Sequence, residues 1–184
     1  ALPAPLRAAD DQGARLAFLE QRLDEGRDRA RLWQYGWTSV YAGAAVVHGA
    51  LALSSGDQDE QVVNGVGALR ALTALTLIRL RSDPGRFGAD PVRAAGPPGS
   101  TARLEAAEGL LARTAHHAER RYSVERHLFN VGLNAVFGSL VLAFGDSDDA
   151  IFSTLTGIAG GVATLVTRSP QPIRNAAEYR DRYG

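Results

Sequence analysis

The chain has 184 residues, with 20 Arg, no Lys and 20 Asp plus Glu, so its formal net charge is zero. This length suits one domain or two small ones, and 45% hydrophobic against 22% charged residues is typical of a folded chain. The neutral balance excludes a generally basic nucleic-acid-binding protein. The absence of Cys excludes disulfides, thiolate metal sites and a cysteine nucleophile.

The chain opens with an Ala/Pro-rich segment, Ala1–Pro5. Such a composition is typical of a mature N-terminus after removal of a signal peptide, and it predicts export to the cell envelope. The alternative is a chain trimmed in some other way, and the sequence leaves both open.

Two pairs of segments recur at nearly the same offset. Segment 14–23 matches 102–111, and segment 43–59 matches 132–148, where 8 of 17 positions are identical. The near-constant spacing predicts an internal duplication. The expected parts are a first helical unit, a Pro/Gly-rich linker, a second helical unit and a polar tail: 12–82, 83–99, 100–169 and 170–184.

Each predicted unit has the same three parts. It begins with a charged helix, in which Leu16, Leu19 and Leu23 of the first unit fall at helical spacing. An uncharged stretch, an acidic turn and a second apolar stretch follow. Each turn supplies a helix N-cap, which is Asp57 or Asp59 in one unit and Asp146 or Asp148 in the other.

No segment shows the sustained alternation of a β-strand. The predicted fold is therefore all-α. It consists of internally duplicated helical hairpins, each preceded by an amphipathic helix, packed as a pseudo-twofold helical bundle.

The four apolar stretches, of about 18 to 20 residues each, are close to the length that crosses a bilayer. Glycines at small-residue spacings predict close helix packing in them: Gly43, Gly49, Gly132, Gly138, Gly157 and Gly161. If the hairpins span a membrane, the arginines at their open ends put both chain ends in the cytoplasm and the acidic turns outside. Against spanning stand a mean hydropathy of −0.12 and Arg70 in mid-stretch, which costs about 2.5–3.5 kcal/mol. A soluble helical core has the same glycine spacing.

Metal and catalytic motifs are weak. His116 and Glu119 share a helix face, which is half of a carboxylate-bridged metal motif. The first unit has Arg27, Asp28 and Ala30 at the corresponding places, so the duplication does not supply the other half. There is no Ser nucleophile elbow and no phosphate-binding loop with Lys. We expect no metal, no cofactor and no catalytic residue.

Arg70 is the most specific candidate for ligand binding. It either lies on a groove wall, where it binds an anionic head group or a partner carboxylate, or it lies on a wet helix face as a surface charge. Aromatic residues cluster where the charged helix meets the apolar stretch, at Trp33, Tyr35, Trp37 and Tyr41. This position suits a lipid–water interface or the rim of a core. The candidate ligand residues are Arg70, His48, Trp37, Tyr41 and Asn134.

The sequence favours a non-enzymatic helical protein of the cell envelope, exported and membrane-associated. It is expected to bind a lipid-like ligand, a membrane surface or a protein partner through an apolar groove. The expected partners include a second copy of this chain but no nucleic acid. The alternative is a small four-span protein of the inner membrane, acting as a transport accessory or assembly subunit. A helical-bundle enzyme with a His/Glu site is a third interpretation.

Overall fold

The computed structural model describes residues 4–184, with side chains for residues 11–121 and 123–184. Most of the Ala/Pro-rich segment Ala1–Pro5 thus lies outside the described part. Helices make up 87% of the chain, and the described residues form no strand, which confirms the all-α prediction. The α-helices described are α1 (Ala4–Ser54), α2 (Gln58–Leu80), α3 (Asp90–Arg93), α4 (Thr101–Glu119), α5 (Val124–Phe144), α6 (Ser147–Val166) and α7 (Gln171–Tyr183). Short 3-10 helices lie at Pro84–Phe87 and Arg120–Tyr122.

Side-chain caps fix where the longer helices begin. The Asp57 carboxylate accepts a hydrogen bond from the Glu60 N–H at 3.0 Å and caps α2, and Asp146 accepts from the Asp148 N–H at 2.6 Å and caps α6. Ser123 caps α5 in the same way. Each cap satisfies a first-turn N–H that has no partner within the helix. The acidic turns of the sequence are therefore helix starts.

The described residues divide into two compact units. The polar unit comprises the residues up to Leu32, Asp83–Arg121 and Ser169–Gly184. The apolar unit comprises Trp33–Ser82 and Tyr122–Arg168. The division separates the charged helices from the apolar hairpins and does not fall between the two predicted repeats. Residues 12–32 and 100–121 share one unit, while the hairpins share the other.

The polar unit has a conventional hydrophobic core. Leucines at the predicted helical spacing in α1 pack against α4, and the buried set is Leu16, Leu19, Leu23, Ala107, Leu110 and Leu111. Ion pairs cover its surface. Arg15 contacts Glu108 at 2.8 Å, and Arg103 contacts Glu20 at 2.6 Å. Apolar interior and charged exterior are what a water-exposed domain requires.

The stretch 83–99 is a folded part of the polar unit and not a linker. Ala89 and Val92 are completely buried in the core, and the Ala89 N–H donates to Asp24 at 3.0 Å. Its Pro/Gly content serves tight turns, as at Gly88, whose φ of 57° is a conformation that favours glycine. Composition alone predicted a linker, because the Pro and Gly content of the stretch does not indicate that Ala89 and Val92 are buried.

The polar tail is likewise an ordered helix of the polar unit. On α7, Asn175 donates to the Arg22 carbonyl at 3.2 Å, and Tyr179 stacks on Phe18 with ring centroids 6.2 Å apart. Arg15 donates to the Tyr179 hydroxyl at 2.8 Å. The tail is polar because it presents an outer face to solvent, while one stripe of it contacts α1.

The apolar unit contains the second part of α1 together with α2, α5 and α6. Helix α5 packs along α6, and α2 contacts both. Phe137 and Val141 are buried, but so are Asn134 and Ser153. Most of the large apolar side chains are on the outside, including Val40, Val46, Val47, Leu51, Leu53, Leu69, Leu72, Val136, Leu142, Ile151, Phe152 and Leu155.

Candidate ligand cavity

A cavity of about 390 Å³ lies among the helices of the apolar unit. Apolar side chains such as Val63, Leu77, Ile78, Leu133 and Leu165 form much of its wall. Its polar lining comes from all four helices: Tyr41, His48, Arg70, Arg81, Arg126, Asn130, Asn134, Ser153, Thr156 and Thr164. Among the described residues no Asp or Glu lines it, so every formal charge in the lining is positive. An apolar pocket with a few polar groups is typical of ligand sites.

Arg70 lies on the cavity wall and not on a wet helix face. Its Nη1 donates to the Ser153 carbonyl at 2.6 Å, and its Nη2 donates to the Ser153 hydroxyl. The guanidinium also lies 5.6 Å from the centroid of the Phe137 ring. Its Nε is buried and has no hydrogen-bond partner among the described residues. Neutral groups therefore hold Arg70, and its positive charge is left without a protein counterion in the cavity lining.

His48 and Asn64 connect α1 to α2 beside the cavity. The His48 Nδ1 and the Asn64 Oδ1 are 3.0 Å apart, which is a hydrogen bond between the two side chains. Gly67 makes room for the imidazole, because a Cβ at this position would lie 2.9 Å from the His48 Cγ. The histidine is thus placed at the cavity by its packing against α2.

Two asparagines of α5 face two glycines of α6. A Cβ at Gly157 would overlap the Asn134 side chain, and a Cβ at Gly161 would overlap that of Asn130. The Asn134 Nδ2 donates to the Asn130 Oδ1 at 3.1 Å, so the amides also bond to each other. The glycines therefore admit polar side chains between α5 and α6.

The expected close packing at glycines is not general. Gly138, like Gly157 and Gly161, is packed, and a Cβ there would overlap Thr154. A Cβ at Gly43, Gly49 or Gly132 would have no atom of this chain within 4 Å. The prediction is wrong for these three positions within the single chain, because spacing along a helix does not state which face meets a neighbour.

The aromatic cluster divides between the cavity and the helix ends. Tyr41 lines the cavity, and the Trp37 ring lies beside it with centroids 5.6 Å apart. Trp37 is not a lining residue, and its Nε1 donates to the Thr167 hydroxyl at 3.0 Å. Trp33 donates to the Thr164 carbonyl at 3.1 Å. The indoles thus fasten α1 to the end of α6, and of the five candidate ligand residues only Trp37 lies outside the lining.

Sequence reasoning missed six polar lining residues: Arg81, Arg126, Asn130, Ser153, Thr156 and Thr164. A signal existed for Asn130, which precedes Asn134 by one helical turn and therefore shares its face. In the sequence, Arg81 and Arg126 are distinguished only as charges that flank the hairpins. Ser153 had no signal, because a lone Ser in an Ala/Gly/Thr-rich helix is unremarkable.

Three helical segments of the described part are long and apolar enough to cross a membrane: Gln58–Leu80, Val124–Phe144 and Ser147–Tyr183. Their apolar windows have mean hydropathies of 1.3 to 1.6, and only 11–22% of each window is buried inside the protein. His116 and Glu119 are exposed on α4, and the described side chains form no group of three metal ligands. No family model, curated protein or solved structure matches the chain.

Proposed function

We propose that the apolar unit is embedded in a membrane and that the chain is a small four-span integral membrane protein. In this proposal it acts as an assembly subunit or transport accessory that binds a ligand or partner, and not as an enzyme. The observation that carries the proposal is the inverted polarity of the apolar unit, with apolar side chains outside and polar side chains inside.

The inversion is difficult to reconcile with water as the solvent. Soluble monomers rarely expose continuous apolar patches beyond a few hundred Å². Leu53 is 90% exposed and Leu72 51% exposed, whereas Arg70, Asn134 and Ser153 are turned inward. In a bilayer the same arrangement is favourable, because lipid chains cover the leucines and the polar groups bond to one another inside.

The second part of α1 completes the proposed set of four spans. Val40, Val46, Val47, Leu51 and Leu53 are exposed along it, as on the other three helices. Its one strongly polar side chain in this region, His48, bonds to Asn64 of α2. Helices α1 and α2 form a hairpin. If α2 spans the membrane, the second part of α1 must span it as well for the two open ends of this hairpin to lie on the same side.

The other candidate is an exported envelope protein that binds a lipid-like ligand, a membrane surface or a protein partner through an apolar groove. The cavity in the apolar unit supports this function too. The two candidates differ in what shields the exposed apolar side chains, which is lipid in the first and a partner or self-association in the second.

Membrane fractionation with extraction separates the two. We expect the full-length chain to stay in the membrane pellet in high salt and in alkaline carbonate, and to be released only by detergent. Peripheral proteins are released by carbonate and provide the control. Recovery of a monodisperse monomer from the soluble fraction without detergent would contradict the membrane-embedded proposal.

We also propose that the two arms of the chain arose by duplication and that their hairpins are related by an approximate twofold axis. Two features support it. Asp57 and Asp146 occupy equivalent positions in the two segments and each caps a helix, and each arm pairs a charged helix with an apolar hairpin. An experimental structure tests it by superposition of 43–59 on 132–148, which should adopt the same conformation. Different conformations would count against duplication.

A further inference from the structure

Arg70 is a positive charge in the middle of a proposed membrane span. Helix α2 runs from Gln58 to Leu80, so Arg70 is close to its midpoint and far from both membrane surfaces. Its guanidinium donates two hydrogen bonds, both to the neutral residue Ser153. A guanidinium has five N–H donors, so the other three, including the buried Nε, have no hydrogen-bond partner in the described part of the chain. A charge with unused donors is costly in apolar surroundings, and it points to a ligand that supplies a negative charge at this depth.

A second donor without a partner lines the same region of the cavity. The Tyr41 hydroxyl makes no hydrogen bond to any described residue, although a tyrosine hydroxyl in an interior usually has one. Helix α6 locates it relative to Arg70. A Cβ at Gly157 would lie 2.9 Å from the Arg70 Nη1, and a Cβ at Gly160 would lie 3.9 Å from the Tyr41 hydroxyl. Residues three apart share one helix face, so the guanidinium and the hydroxyl are neighbours along α6.

The charge of the inner cavity determines the charge of the ligand that fits it. No carboxylate is present in the cavity lining described, and the lining arginines other than Arg70 are at the open end of the hairpins. One guanidinium neutralises one negative charge. A dianion such as a phosphate monoester would leave a net negative charge at mid-span, which is also unfavourable. A carboxylate brings a single charge and two oxygens that match the paired N–H donors of a guanidinium.

The wall between Arg70 and the open end suits an apolar group of limited length. The apolar lining residues there are Ala71, Ala74, Leu77, Ile78, Leu133 and Leu165. Arg81, at the open end, lies 11 residues after Arg70, which is about 16 Å along the helix axis. A cavity of about 390 Å³ holds a compact hydrocarbon group within this length. A lipid does not fit, because its acyl chain would extend from mid-span back to the polar end of the cavity.

We propose that this cavity binds a small amphipathic monocarboxylate, which is one carboxylate joined to a compact apolar group such as a short alkyl chain. Arg70 and Tyr41 donate hydrogen bonds to the carboxylate, and the apolar wall contacts the hydrocarbon. The ligand enters from the open end, where the Arg81 guanidinium, 5.2 Å from the centroid of the Phe129 ring, adds positive potential. The inference names the ligand class of the proposed membrane protein and therefore rests on the proposed membrane location of the apolar unit.

Ligand selectivity of the purified chain tests the proposal. The full-length protein in an uncharged detergent and a chloride-free buffer is dialysed to equilibrium against radiolabelled hexanoate, with detergent alone as the blank. We expect saturable binding of one hexanoate per chain. Absence of saturable binding would overturn the proposal.

Competition distinguishes a monocarboxylate site from other sites. Hexanamide has the same length without a charge, and adipate has a second charge, so each should displace hexanoate about tenfold less well than unlabelled hexanoate does. Inorganic phosphate and phosphatidylglycerol should not displace it. Displacement by hexanamide as effective as that by hexanoate would mean a purely apolar pocket. Equal displacement by adipate, phosphate or phosphatidylglycerol would mean a general anion site or a lipid site, and each of these results would overturn the proposal.

A first pair of variants tests the charge. Arg70→Gln should weaken hexanoate binding about tenfold or more, as expected for loss of a charge-assisted hydrogen bond. Arg79→Gln is its control, because Arg79 is an exposed arginine of the same helix outside the lining. Equal losses in the two variants would mean general attraction to surface charge and would refute the site.

A second pair does not depend on the folding of the Arg70 variant. Tyr41→Phe removes only a hydroxyl that has no partner within the described residues, so the melting temperature without ligand should not fall. Hexanoate binding should weaken about threefold to tenfold, which corresponds to one hydrogen bond. Tyr35→Phe, at a tyrosine that is 64% exposed and outside the lining, should bind hexanoate as the wild type does. Unchanged binding in Tyr41→Phe would contradict the proposed contact.

Failure of this inference and failure of the proposed function give different results. If only the ligand site is wrong, the protein still resists carbonate extraction but shows no preference for hexanoate over hexanamide. If the membrane location is wrong, the protein is released from the membrane without detergent.

Discussion

Glycines of the apolar unit have very different surroundings, although the spacing of small residues in the sequence predicts close packing for all of them. A Cβ at Gly157 would lie 2.8 Å from the Asn134 Cγ and 2.9 Å from the Arg70 Nη1. A Cβ at Gly49 would contact nothing in this chain. The same Gly→Ala change therefore has opposite effects at the two sites.

We expect Gly157→Ala to lower the stability of the apolar unit by about 1–3 kcal/mol, because it overpacks a contact that includes Arg70. Gly49→Ala should leave the stability unchanged or raise it by up to about 1 kcal/mol, since Ala restricts the unfolded chain more than Gly. Thermal unfolding in detergent measures both variants. Equal melting temperatures of the two variants would contradict the close contact between α5 and α6 at Gly157.

Asp24 in the polar unit links stability to pH. Burial raises the pKa of this carboxyl, but hydrogen bonds from Arg93 and from the Ala89 N–H outweigh that effect and lower the pKa below its usual value. A group with a lowered pKa in the folded state stabilises the fold above its unfolded pKa, which is about 4 for Asp. This stability is lost as the pH falls from there through the folded pKa.

Asp24→Asn should therefore destabilise the polar unit at pH 7 by about 1–2 kcal/mol and have progressively less effect below pH 4. Hydrogen exchange of the α1 and α4 amides at several pH values measures this unit in the full chain. Asp28→Asn is the control, because the Asp28 side chain is 87% exposed. A difference between Asp24→Asn and wild type that stays constant down to pH 2 would contradict the assignment.

At the scale of the element, the start of α2 depends on one carboxylate. Asp57 accepts from the Glu60 N–H, whereas Asp59 is exposed in the first turn. We expect Asp57→Ala to weaken this helix end by about 1 kcal/mol and Asp59→Ala to weaken it less. Exchange rates of the first-turn amides of α2 measure the difference. Asp57→Asn should restore slow exchange, because Asn also accepts this hydrogen bond, and failure to do so would argue against capping.

At the scale of the whole molecule, the distribution of charge predicts an orientation for the proposed membrane-spanning arrangement. Arginines flank the open ends of both hairpins, and the turns that join the helices are acidic. Cytoplasmic segments carry the excess of Arg, so positions 57–60 and 146–149 should lie outside and Asp83–Arg121 inside.

The absence of Cys makes the orientation directly measurable, because single cysteines can be introduced without removing any. In intact cells made permeable at the outer membrane, an impermeant maleimide should label Asp59→Cys and Ser147→Cys. Arg113→Cys should react only after lysis, and Leu69→Cys in mid-span should not react at all. Labelling of Arg113→Cys before lysis would reverse the orientation, and labelling of Leu69→Cys would argue against spanning.

Local patterns in the sequence determined the elements of this protein. Leucine spacing predicted the helix that buries Leu16, Leu19 and Leu23, and the acidic turns predicted the starts of α2 and α6. These features follow from interactions within a few residues, namely helical periodicity and satisfaction of first-turn N–H groups. The same reasoning identified four of the polar lining residues: His48, Tyr41, Arg70 and Asn134.

Tertiary structure decided which faces of these helices meet. Gly157 is packed and Gly49 is open, Arg70 faces the cavity, and Val92 draws the stretch 83–99 into a core. Each outcome depends on residues far away in sequence, such as Asn134 opposite Gly157 and Ser153 opposite Arg70. Helical periodicity defines the faces of one helix, but burial and charge compensation are properties of a pair of helices, and the pairing is set by the fold.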